Sequence, residues 1–456
     1  MIAPARRVAL DALASVSAGT DLPDALATTR EQLSDDRDRA LAAAIVIGTL
    51  RWRARLDFHL QHAASRRLDK LDAVVLDVLR LSLFQLLFLE RVPASAVVDD
   101  AVSLVRRGGK SSAGGFVNGV LRTIARAGDG LALPAMPASV GSPGDRALAI
   151  DALHVAGSHP RWLVKRWIDR LGLDAAARWV AFNNVEAPLT LRVNRRRATR
   201  ERIAERLREL GVETTPTRLA PDGLTVTAGN PLRTSLAASG DFLIQDEASQ
   251  LVPLLVGARP GARVLDACAA PGGKSLALAD ALAGDGLLVA ADARDKRVAL
   301  LRRVLDAHAA GASIVEHDLD AGVPFGPVFD RVLVDAPCTG LGTLRRDVDI
   351  RWRRDPDDIG VAAARQLRML SEASTAVAPH GRLVYATCSS EPEENEQVVS
   401  AFLADHDGFR RVPARTLIEE GLAAALLNPE TGDLVTRPDH HGLECFYGAA
   451  LERAKA

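Results

Sequence analysis

Two cysteines of this 456-residue chain stand where a thiol could act in catalysis. Cys338 follows the apolar run DRVLVDAP (330–337), and Cys388 lies near the end of the run GRLVYATCS (381–389). Both runs are predicted strands, so the two thiols would lie at the mouths of adjacent strands. A lone free cysteine is usually a small buried hydrophobic residue that serves packing. Packing is a poor explanation for two cysteines that lie beside the same ligand loop. Because a thiolate is a good nucleophile, the pair indicates covalent catalysis.

The run RVLDACAAPGGKS (263–275) predicts the ligand-binding loop. A strand ends at Asp266, and small residues then lead into a helix whose first N–H groups are free to bind a ligand. A Walker A motif, GxxxxGK[ST], requires glycine where this chain has Cys268, and the dinucleotide fingerprint GxGxxG is absent. The plain alternative is a tight turn whose glycines serve packing only.

Acidic residues also end the next two predicted strands. Asp292 ends GLLVAAD (286–292), and Asp318 ends SIVEHD (313–318). A carboxylate at the tip of the second strand accepts hydrogen bonds from a ribose in nucleotide-binding sheets, and Asp318 could accept from an adenine amino group. Each residue alone is more often a strand cap or a solvated charge. Three acidic strand ends beside one glycine loop favour an adenosine-type ligand.

These residues require a parallel sheet, and the order of the elements predicts one. Residues 1–127 indicate an all-helical domain, and the Pro- and Gly-rich stretch 128–147 indicates a linker. Residues 148–240 mix helices with short strands and predict a small α+β module that contacts RNA. Residues 241–456 alternate strands and helices, which predicts a Rossmann-like α/β domain with a doubly wound sheet.

Composition excludes several other classes of protein. Hydrophobic residues make up 48% and charged residues 25% of the chain, as in ordinary globular proteins, and the net charge is −1. Four scattered cysteines predict neither a disulfide framework nor a metal site. The most apolar stretch, 74–90, is interrupted by charges and predicts a buried helix rather than a membrane span. With no signal peptide pattern either, we expect a cytoplasmic monomer.

Local clusters of arginine are the candidates for RNA contact. Residues 161–210 contain 13 Arg or Lys against six Asp or Glu, and further groups occur at 345–346 and 351–354. The helix 199–211 carries many Glu–Arg pairs and is typical of a solvated surface. Arg192 and Arg195 to Arg197 have no acidic neighbours in the sequence, so we predict that they contact RNA.

The motifs DACAAPGGKS, DAPCTGLGTLRR and YATCSSEPEENE resemble those of the RNA 5-methylcytosine methyltransferases. Nearly the whole chain is similar to the bacterial RsmB (Sun/Fmu) family of ribosomal RNA methyltransferases. That family has an N-terminal RNA-binding domain similar to the antitermination factor NusB, and residues 91–122 look like the end of that domain. Residues 242–250, FLIQDEASQ, resemble the run that leads into the family's catalytic domain.

The resemblance implies an S-adenosylmethionine-dependent enzyme that forms 5-methylcytosine at a specific cytosine of small-subunit (16S) ribosomal RNA. The RNA would be naked or partly assembled, and the NusB-like domain would add RNA affinity. By this resemblance Cys388 would be the nucleophile, and Cys338 would be needed for product release. Asp335 would be the acidic residue of the family's fourth motif. The cofactor-binding residues implied are Cys268, Ala269, Ala270, Pro271, Gly272, Gly273, Lys274, Asp292, Asp318 and Asp335.

Two departures and two alternatives accompany the resemblance. Where the family commonly has His-Pro after the Arg pair, this chain has Asp347-Val348, and Cys445 has no counterpart and is predicted to lie in the core. The first alternative is the same chemistry on transfer RNA. The second is a non-catalytic NusB-like assembly factor, which the presence of both thiols, Asp335 and the glycine loop argues against.

Overall fold

The computed structural model describes residues 2–127 and 132–454. Contacts within it define two compact units, the first formed by Met1–Val185 with Arg346–Arg353 and the second by Glu186–Arg345 with Arg354–Ala456. Residues 128–131 of the predicted linker lie outside the described residues. The helices of residues 143–184, which the sequence had suggested grouping with the α+β module, are thus assigned to the first unit.

The first unit is built of helices. Ala- and Leu-rich segments form them, and polar side chains such as Asp35 and Asp72 cap their first N–H groups. In the described residues 2–127 and 132–185, the α-helices are α1 (Pro4–Ser17), α2 (Leu22–Glu31), α3 (Asp36–Arg51), α4 (Arg53–Ala63), α5 (Ala73–Phe88), α6 (Ala94–Arg107), α7 (Gly114–Ala127), α8 (Pro143–Ala156), α9 (Arg161–Leu171) and α10 (Leu173–Asn184).

Helix α5 is the apolar stretch that the sequence predicted to be a buried helix. Its residues Val78, Leu79, Leu81 and Leu83 are fully buried and pack in the core with apolar residues of α1, α3, α6 and α7. Among the described residues, no helix combines the length and hydropathy needed to cross a membrane. The prediction of a buried helix is confirmed.

The segment Arg346–Arg353 is part of the first unit although the strands on either side of it in sequence are not. Val348 lies in the helical core, and Trp352 donates from Nε1 to the carbonyl oxygen of Leu50 at 2.6 Å. Arg351 is fully buried and donates to the carbonyl oxygens of Ser158 and Asn183 and to Oδ1 of Asn184. Apolar packing and buried hydrogen bonds therefore fix this segment.

The second unit begins with a four-stranded antiparallel sheet in the order β2-β3-β1-β4. Its apolar side chains, including Leu191, Leu224 and Phe242, pack against Ile203 and Leu207 of a helix. The elements are β1 (Thr190–Val193), α11 (Arg200–Glu209), β2 (Glu213–Pro216), β3 (Gly223–Ala228) and β4 (Phe242–Ile244).

An eight-stranded sheet follows. Its strands are β5 (Arg263–Asp266), β6 (Leu287–Asp292), β7 (Ser313–Glu316), β8 (Phe329–Asp335), β9 (Val377–Thr387), β10 (Phe409–Val412), β11 (Leu434–Val435) and β12 (Tyr447–Arg453). Its helices are α12 (Glu247–Val256), α13 (Gly273–Leu282), α14 (Asp295–Ala307), α16 (Pro356–Ser374), α17 (Glu396–Asp405), α18 (Glu420–Leu426) and α19 (Pro438–His441), whereas α15 (Ile350–Arg353) belongs to the first unit.

The strand order β7-β6-β5-β8-β9-β12-β10 confirms a doubly wound sheet, with β11 paired to β12. Strands β5 to β9 are parallel, and β12 pairs with β9 in the antiparallel direction. Alternate residues face opposite sides: Val264 and Leu333 pack in the core with α12 and α13, whereas Leu265 and Val332 pack with α16. The chain reverses its direction of winding between β5 and β8, and such a switch point opens a crevice at the carboxyl ends of the strands.

Candidate active site

The glycine loop connects the end of β5 to the start of α13 at the switch point. Gly272 adopts φ +112°, a conformation that side-chain-bearing residues rarely adopt. A Cβ on Gly272 would also lie 3.2 Å from Leu301 and 3.3 Å from Val304 of α14. Glycine is therefore required here by the backbone and by the packing of the next helix, and its presence lets the loop turn tightly into α13.

Asp292, at the end of β6, organises the loop from the other side. It is 6% exposed and accepts hydrogen bonds from the backbone N–H groups of Ala270 and Ala293, each at 3.0 Å. Arg297 donates to both carboxylate oxygens of Asp292, at 2.9 and 3.1 Å, and also to the carbonyl oxygen of Ala270. One carboxylate thus ties the glycine loop to the first turns of α14.

A cavity at the strand ends brings three of the predicted cofactor residues together. Cys268, Asp292 and Asp318 all line it, and its other walls include Arg297 and Pro337. Asp318 is exposed and caps the following turn by accepting from the backbone N–H of Asp320 at 3.1 Å. Burial and the nearby carboxylates raise the pKa of the Cys268 thiol well above its usual value, so this cysteine lines the cavity as a neutral group.

Lys274 and Asp335 form an ion pair beside this cavity. Lys274 Nζ lies 2.6 Å from Asp335 Oδ2 and 5.4 Å from the centre of the Phe446 ring. Burial is the largest single effect and opposes the charge on Lys274, but the charge and hydrogen bond of Asp335, together with Cys388 and Asp266, outweigh it and raise the Lys274 pKa. Nearby, Asp266 is buried and accepts from Ser275 Oγ at 2.6 Å, and burial raises the pKa of Asp266 to about 7.

The two thiols predicted to act together lie in contact. Cys338 Sγ is 3.2 Å from Cys388 Sγ, and both side chains are partly exposed. Cys338 lies just past β8 and Cys388 just past β9, two strands that pair as far as Asp335 and Ala386. Gly342 then donates its N–H to the carbonyl oxygen of Cys388 at 2.9 Å. Since a Cβ there would overlap that oxygen, only glycine allows this approach.

A cation near a thiol favours the thiolate and lowers the pKa of that thiol, and Lys274 is such a cation beside Cys388. Lys274 does act in that direction. The hydrogen bond with Cys338, burial, and the negative charge of Asp335 act more strongly in the opposite direction, and the pKa of Cys388 is raised well above its usual value. In the protein without bound RNA or cofactor, Cys388 is therefore protonated, as a thiol, at neutral pH.

Comparisons with known proteins identify the domain types. The family described as "16S rRNA methyltransferase RsmB/F" matches residues 253–452, the NusB family matches residues 3–126, and a ferredoxin-like domain of RsmF/B-like methyltransferases matches residues 159–233. The chain is 34% identical over 458 residues to "Ribosomal RNA small subunit methyltransferase B" of Pseudomonas putida, covering 99% of each protein. The chain belongs to the RsmB/F methyltransferase family.

Two further relatives agree with this assignment. "Probable ribosomal RNA small subunit methyltransferase B" of Bacillus subtilis is 35% identical over 379 residues, which cover 82% of each protein. A crystal structure titled as a methyltransferase homologue from Pyrococcus horikoshii is 26% identical, with a TM-score of 0.57, and covers 68% of this chain and 99% of that one. The predicted family and fold class of this RsmB/F member are confirmed.

The prediction that Arg192 and Arg195 to Arg197 contact RNA rested on the absence of acidic neighbours in the sequence, but in the fold all four lie near acidic residues that are distant in sequence. Arg192 is 2% exposed and forms an ion pair with Asp280, which also accepts from Arg196 Nε at 3.0 Å. Arg197 donates to the carbonyl oxygen of Ser239, and Arg195 lies 3.4 Å from Asp222. Of these four side chains, Arg195 is the most exposed, at 66%, and Arg197 is also at the surface, at 38%, whereas Arg192 and Arg196 are largely buried.

The second arginine group is also largely structural. Arg351 is fully buried, as described above, and Arg353 forms ion pairs with Asp21 and Asp349. Arg345 donates to the carbonyl oxygen of Glu186, and Arg354 donates to that of Thr339. Among the candidates at 351–354, Arg351 is excluded as an RNA contact, because its side chain has no exposed surface to reach a phosphate.

Sequence reasoning missed two residues that this site depends on. Arg297 holds Asp292, and Glu394 accepts hydrogen bonds from the residues that follow both cysteines. Arg297 lies five residues after Asp292 in the first turns of a helix, a spacing that could have suggested the pair. Glu394 lies in the quoted motif YATCSSEPEENE, but nothing in the sequence distinguishes it from the three neighbouring glutamates. Cys445 is buried as predicted.

Proposed function

We propose that this RsmB/F family member transfers a methyl group to C5 of a specific cytosine in small-subunit (16S) ribosomal RNA. In this proposal Cys388 forms a transient covalent bond with C6 of the base. The observation that carries it is the contact of two thiols, 3.2 Å apart, next to the ion pair of Lys274 and Asp335. A pair of thiols beside a carboxylate and an ammonium suits a reaction in which one nucleophile must both attack and leave.

The residues around the glycine loop fit S-adenosylmethionine as the cofactor. Bound there, S-adenosylmethionine would supply an electrophilic methyl group on a sulfonium. The loop from Cys268 to Lys274 would hold it, with Asp292 for the ribose and Asp318 for the adenine. In support of this fit, the loop contains Gly272 at a positive φ where a larger residue would be strained, and all three acidic or thiol side chains of the cavity belong to this set.

The chain's own residues account for the steps on the base. The Cys388 thiolate would add to C6, and the displaced electron pair makes C5 nucleophilic. Asp335, once protonated, would donate its proton to N3 as negative charge develops there, and Lys274 would keep the resulting carboxylate in place. Once C5 carries both a methyl group and a hydrogen, a base must remove that proton, and the C6–S bond breaks as the ring regains its double bond. Cys338 would assist this release.

Ribosomal RNA is the substrate that the family supports, and the NusB-like domain supports contact with RNA. The target cytosine must be flipped out or single-stranded to reach Cys388. We therefore expect naked or partly assembled RNA to react faster than intact small subunits. Free thiols in a reaction of this kind also suit the cytoplasm, whose reductants keep cysteines reduced.

The direct test is nucleoside mass spectrometry of RNA incubated with the full chain and S-adenosylmethionine. We expect 5-methylcytosine in small-subunit ribosomal RNA with the native chain and none with Cys388→Ala. Cys445→Ala is the matched control, since that cysteine is buried and is predicted to have no role in catalysis. Methylation of transfer RNA alone would replace the proposed substrate, and folded protein that methylates neither RNA would favour a non-catalytic assembly factor.

A further inference from the structure

A single buried carboxylate connects the two cysteine-bearing turns. Glu394 ends the short turn of 3-10 helix Pro392–Glu394 and is fully buried. Its Oε1 accepts from the backbone N–H of Thr339 at 2.8 Å and from Gln366 Nε2 at 3.0 Å. Its Oε2 accepts from the hydroxyls of Thr339 and Ser389. These four bonds fill the acceptor sites of the carboxylate.

The donors follow the two cysteines directly in sequence, Thr339 after Cys338 and Ser389 after Cys388. Backbone pairing between β8 and β9 stops at Asp335 and Ala386, and one further bond joins Ala336 N–H to the Ala386 carbonyl oxygen. Beyond that point the side chain of Glu394 connects the two turns, because it accepts hydrogen bonds from residues of both. Its position thus bears directly on the spacing of the thiols.

Neighbouring residues hold Glu394 itself in place. Tyr385 donates its hydroxyl to the Glu394 carbonyl oxygen at 2.6 Å, and Asn395 donates from Nδ2 to the Ser389 carbonyl oxygen at 3.0 Å. Gln366 of α16 bonds both Glu394 and the carbonyl oxygen of Pro337, each at 3.0 Å. A buried carboxylate whose four acceptor sites are all bonded favours one geometry, because each lost partner would leave a buried polar group without a bond.

We propose that Glu394 is the positioning residue of the thiol pair, holding the turn after Cys338 and the turn after Cys388 at the spacing that lets both thiols act on one base. The relevance to catalysis rests on the proposed function, in which Cys388 attacks and Cys338 assists release. Glu394 touches neither thiol in the described hydrogen-bond network and acts through Thr339 and Ser389.

Chemical oxidation measures thiol spacing without RNA or cofactor. Diamide takes two electrons and two protons from Cys338 and Cys388 and leaves a disulfide, which peptide mapping under non-reducing conditions quantifies. The variants are Glu394→Ala, which removes the connection, and Glu394→Gln. Glutamine keeps Oε1 as an acceptor, and its amide NH₂ can donate to the Thr339 and Ser389 hydroxyls, which also accept. Glu391→Ala is the matched control, since Glu391 is an equally buried glutamate whose hydroxyl partner is Ser390.

We expect Glu394→Ala to slow disulfide formation roughly tenfold, since misplacement by a fraction of an ångström impairs reactions between fixed groups. Glu394→Gln should restore the rate to within about twofold, and Glu391→Ala should leave it unchanged even where it lowers Tm. Native disulfide rates in folded Glu394→Ala would overturn the proposal. If Glu394→Ala does not fold, the pair Thr339→Val and Ser389→Ala removes the two hydroxyl donors, and with them two of the four bonds, and is held to the same criterion.

The methylation assay separates this inference from the proposed function. With both correct, Glu394→Ala lowers kcat for RNA methylation, and Glu394→Gln recovers it. A native chain that makes no 5-methylcytosine, combined with slow oxidation of Glu394→Ala, would refute the proposed function and leave the positioning role standing. Loss of methylation in Glu394→Ala with an unchanged oxidation rate would refute the positioning role alone.

Discussion

The crevice at the strand ends and the arginine-rich segment 192–197 both concentrate charged residues, yet they use them differently. In the crevice, Asp292, Lys274 and Asp335 pair with partners from the same few loops and line or adjoin a cavity. In the arginine-rich segment, Arg192 and Arg196 both form ion pairs with Asp280, an acidic residue more than 80 positions away in sequence. A charged residue with no oppositely charged neighbour in the sequence can therefore still be paired in the fold. A charged residue at a strand end of a doubly wound sheet, by contrast, lies near the ligand crevice because of the topology of the sheet.

The largest effect should come from the crevice. Cys388→Ala removes the nucleophile, and we expect methylation of ribosomal RNA to fall by at least about a thousandfold, because Cys338 has the role of assisting release and does not attack C6 in this account. Transfer of labelled methyl groups to RNA measures it, with circular dichroism to confirm folding. Residual activity within tenfold of native would mean that another residue attacks and that the comparison has assigned the chemistry to the wrong group.

The pH dependence of methylation sharpens the account of the thiol. Because the pKa of Cys388 is raised, the reactive thiolate is the minor form at neutral pH and its fraction grows as the pH rises. We expect kcat to increase about tenfold per unit between roughly pH 7 and pH 9, where thiolate formation limits the rate. Measurements at saturating RNA and cofactor test this. A flat profile over this range would show that binding of the substrates lowers the pKa of Cys388.

The cofactor side of the crevice should respond through affinity. Asp292→Ala should weaken binding of S-adenosylmethionine by about 10- to 100-fold, the scale of one or two lost charged hydrogen bonds. Calorimetric titration measures the change, and Asp292→Asn, which keeps one oxygen acceptor, should lose less. Unchanged affinity in folded Asp292→Ala would remove the residue from the cofactor site. Gly272→Val is a poorer probe, because a side chain at φ +112° strains the fold as well.

The arginine-rich segment should respond through stability. Arg192→Ala leaves Asp280 buried with only Arg196 as a partner, and we expect a loss of about 3 kcal/mol in the free energy of unfolding. Arg195→Ala, at an exposed position in the same segment, should change it by less than about 0.5 kcal/mol. Urea denaturation of the two variants decides the matter. Equal stabilities, with RNA affinity lost in Arg192→Ala, would restore Arg192 as an RNA contact.

Local sequence patterns were enough to predict much of the fold and of the candidate site. Each of the five predicted strands of the parallel sheet is present, and Cys338 and Cys388 both lie just past strand ends because alternating apolar runs mark strands and small residues mark the loops. Partners that are distant in sequence could not be predicted, because no local sequence pattern indicates them. Examples are the ion pair of Arg192 with Asp280 and the packing of Val348 in the helical core. The segment 346–353 packs in the first unit. Deleting residues 1–147 would therefore remove packing partners of this segment as well as any RNA affinity of the NusB-like domain.

The measurement that tests the central claim most directly is a denaturing gel of cysteine variants incubated with RNA and S-adenosylmethionine. Cys338→Ala should still attack and methylate but release its product slowly, so a slow-migrating covalent band of protein and RNA should accumulate. Cys388→Ala should form no such band. A band from Cys388→Ala and none from Cys338→Ala would contradict the account and exchange the roles of the two thiols.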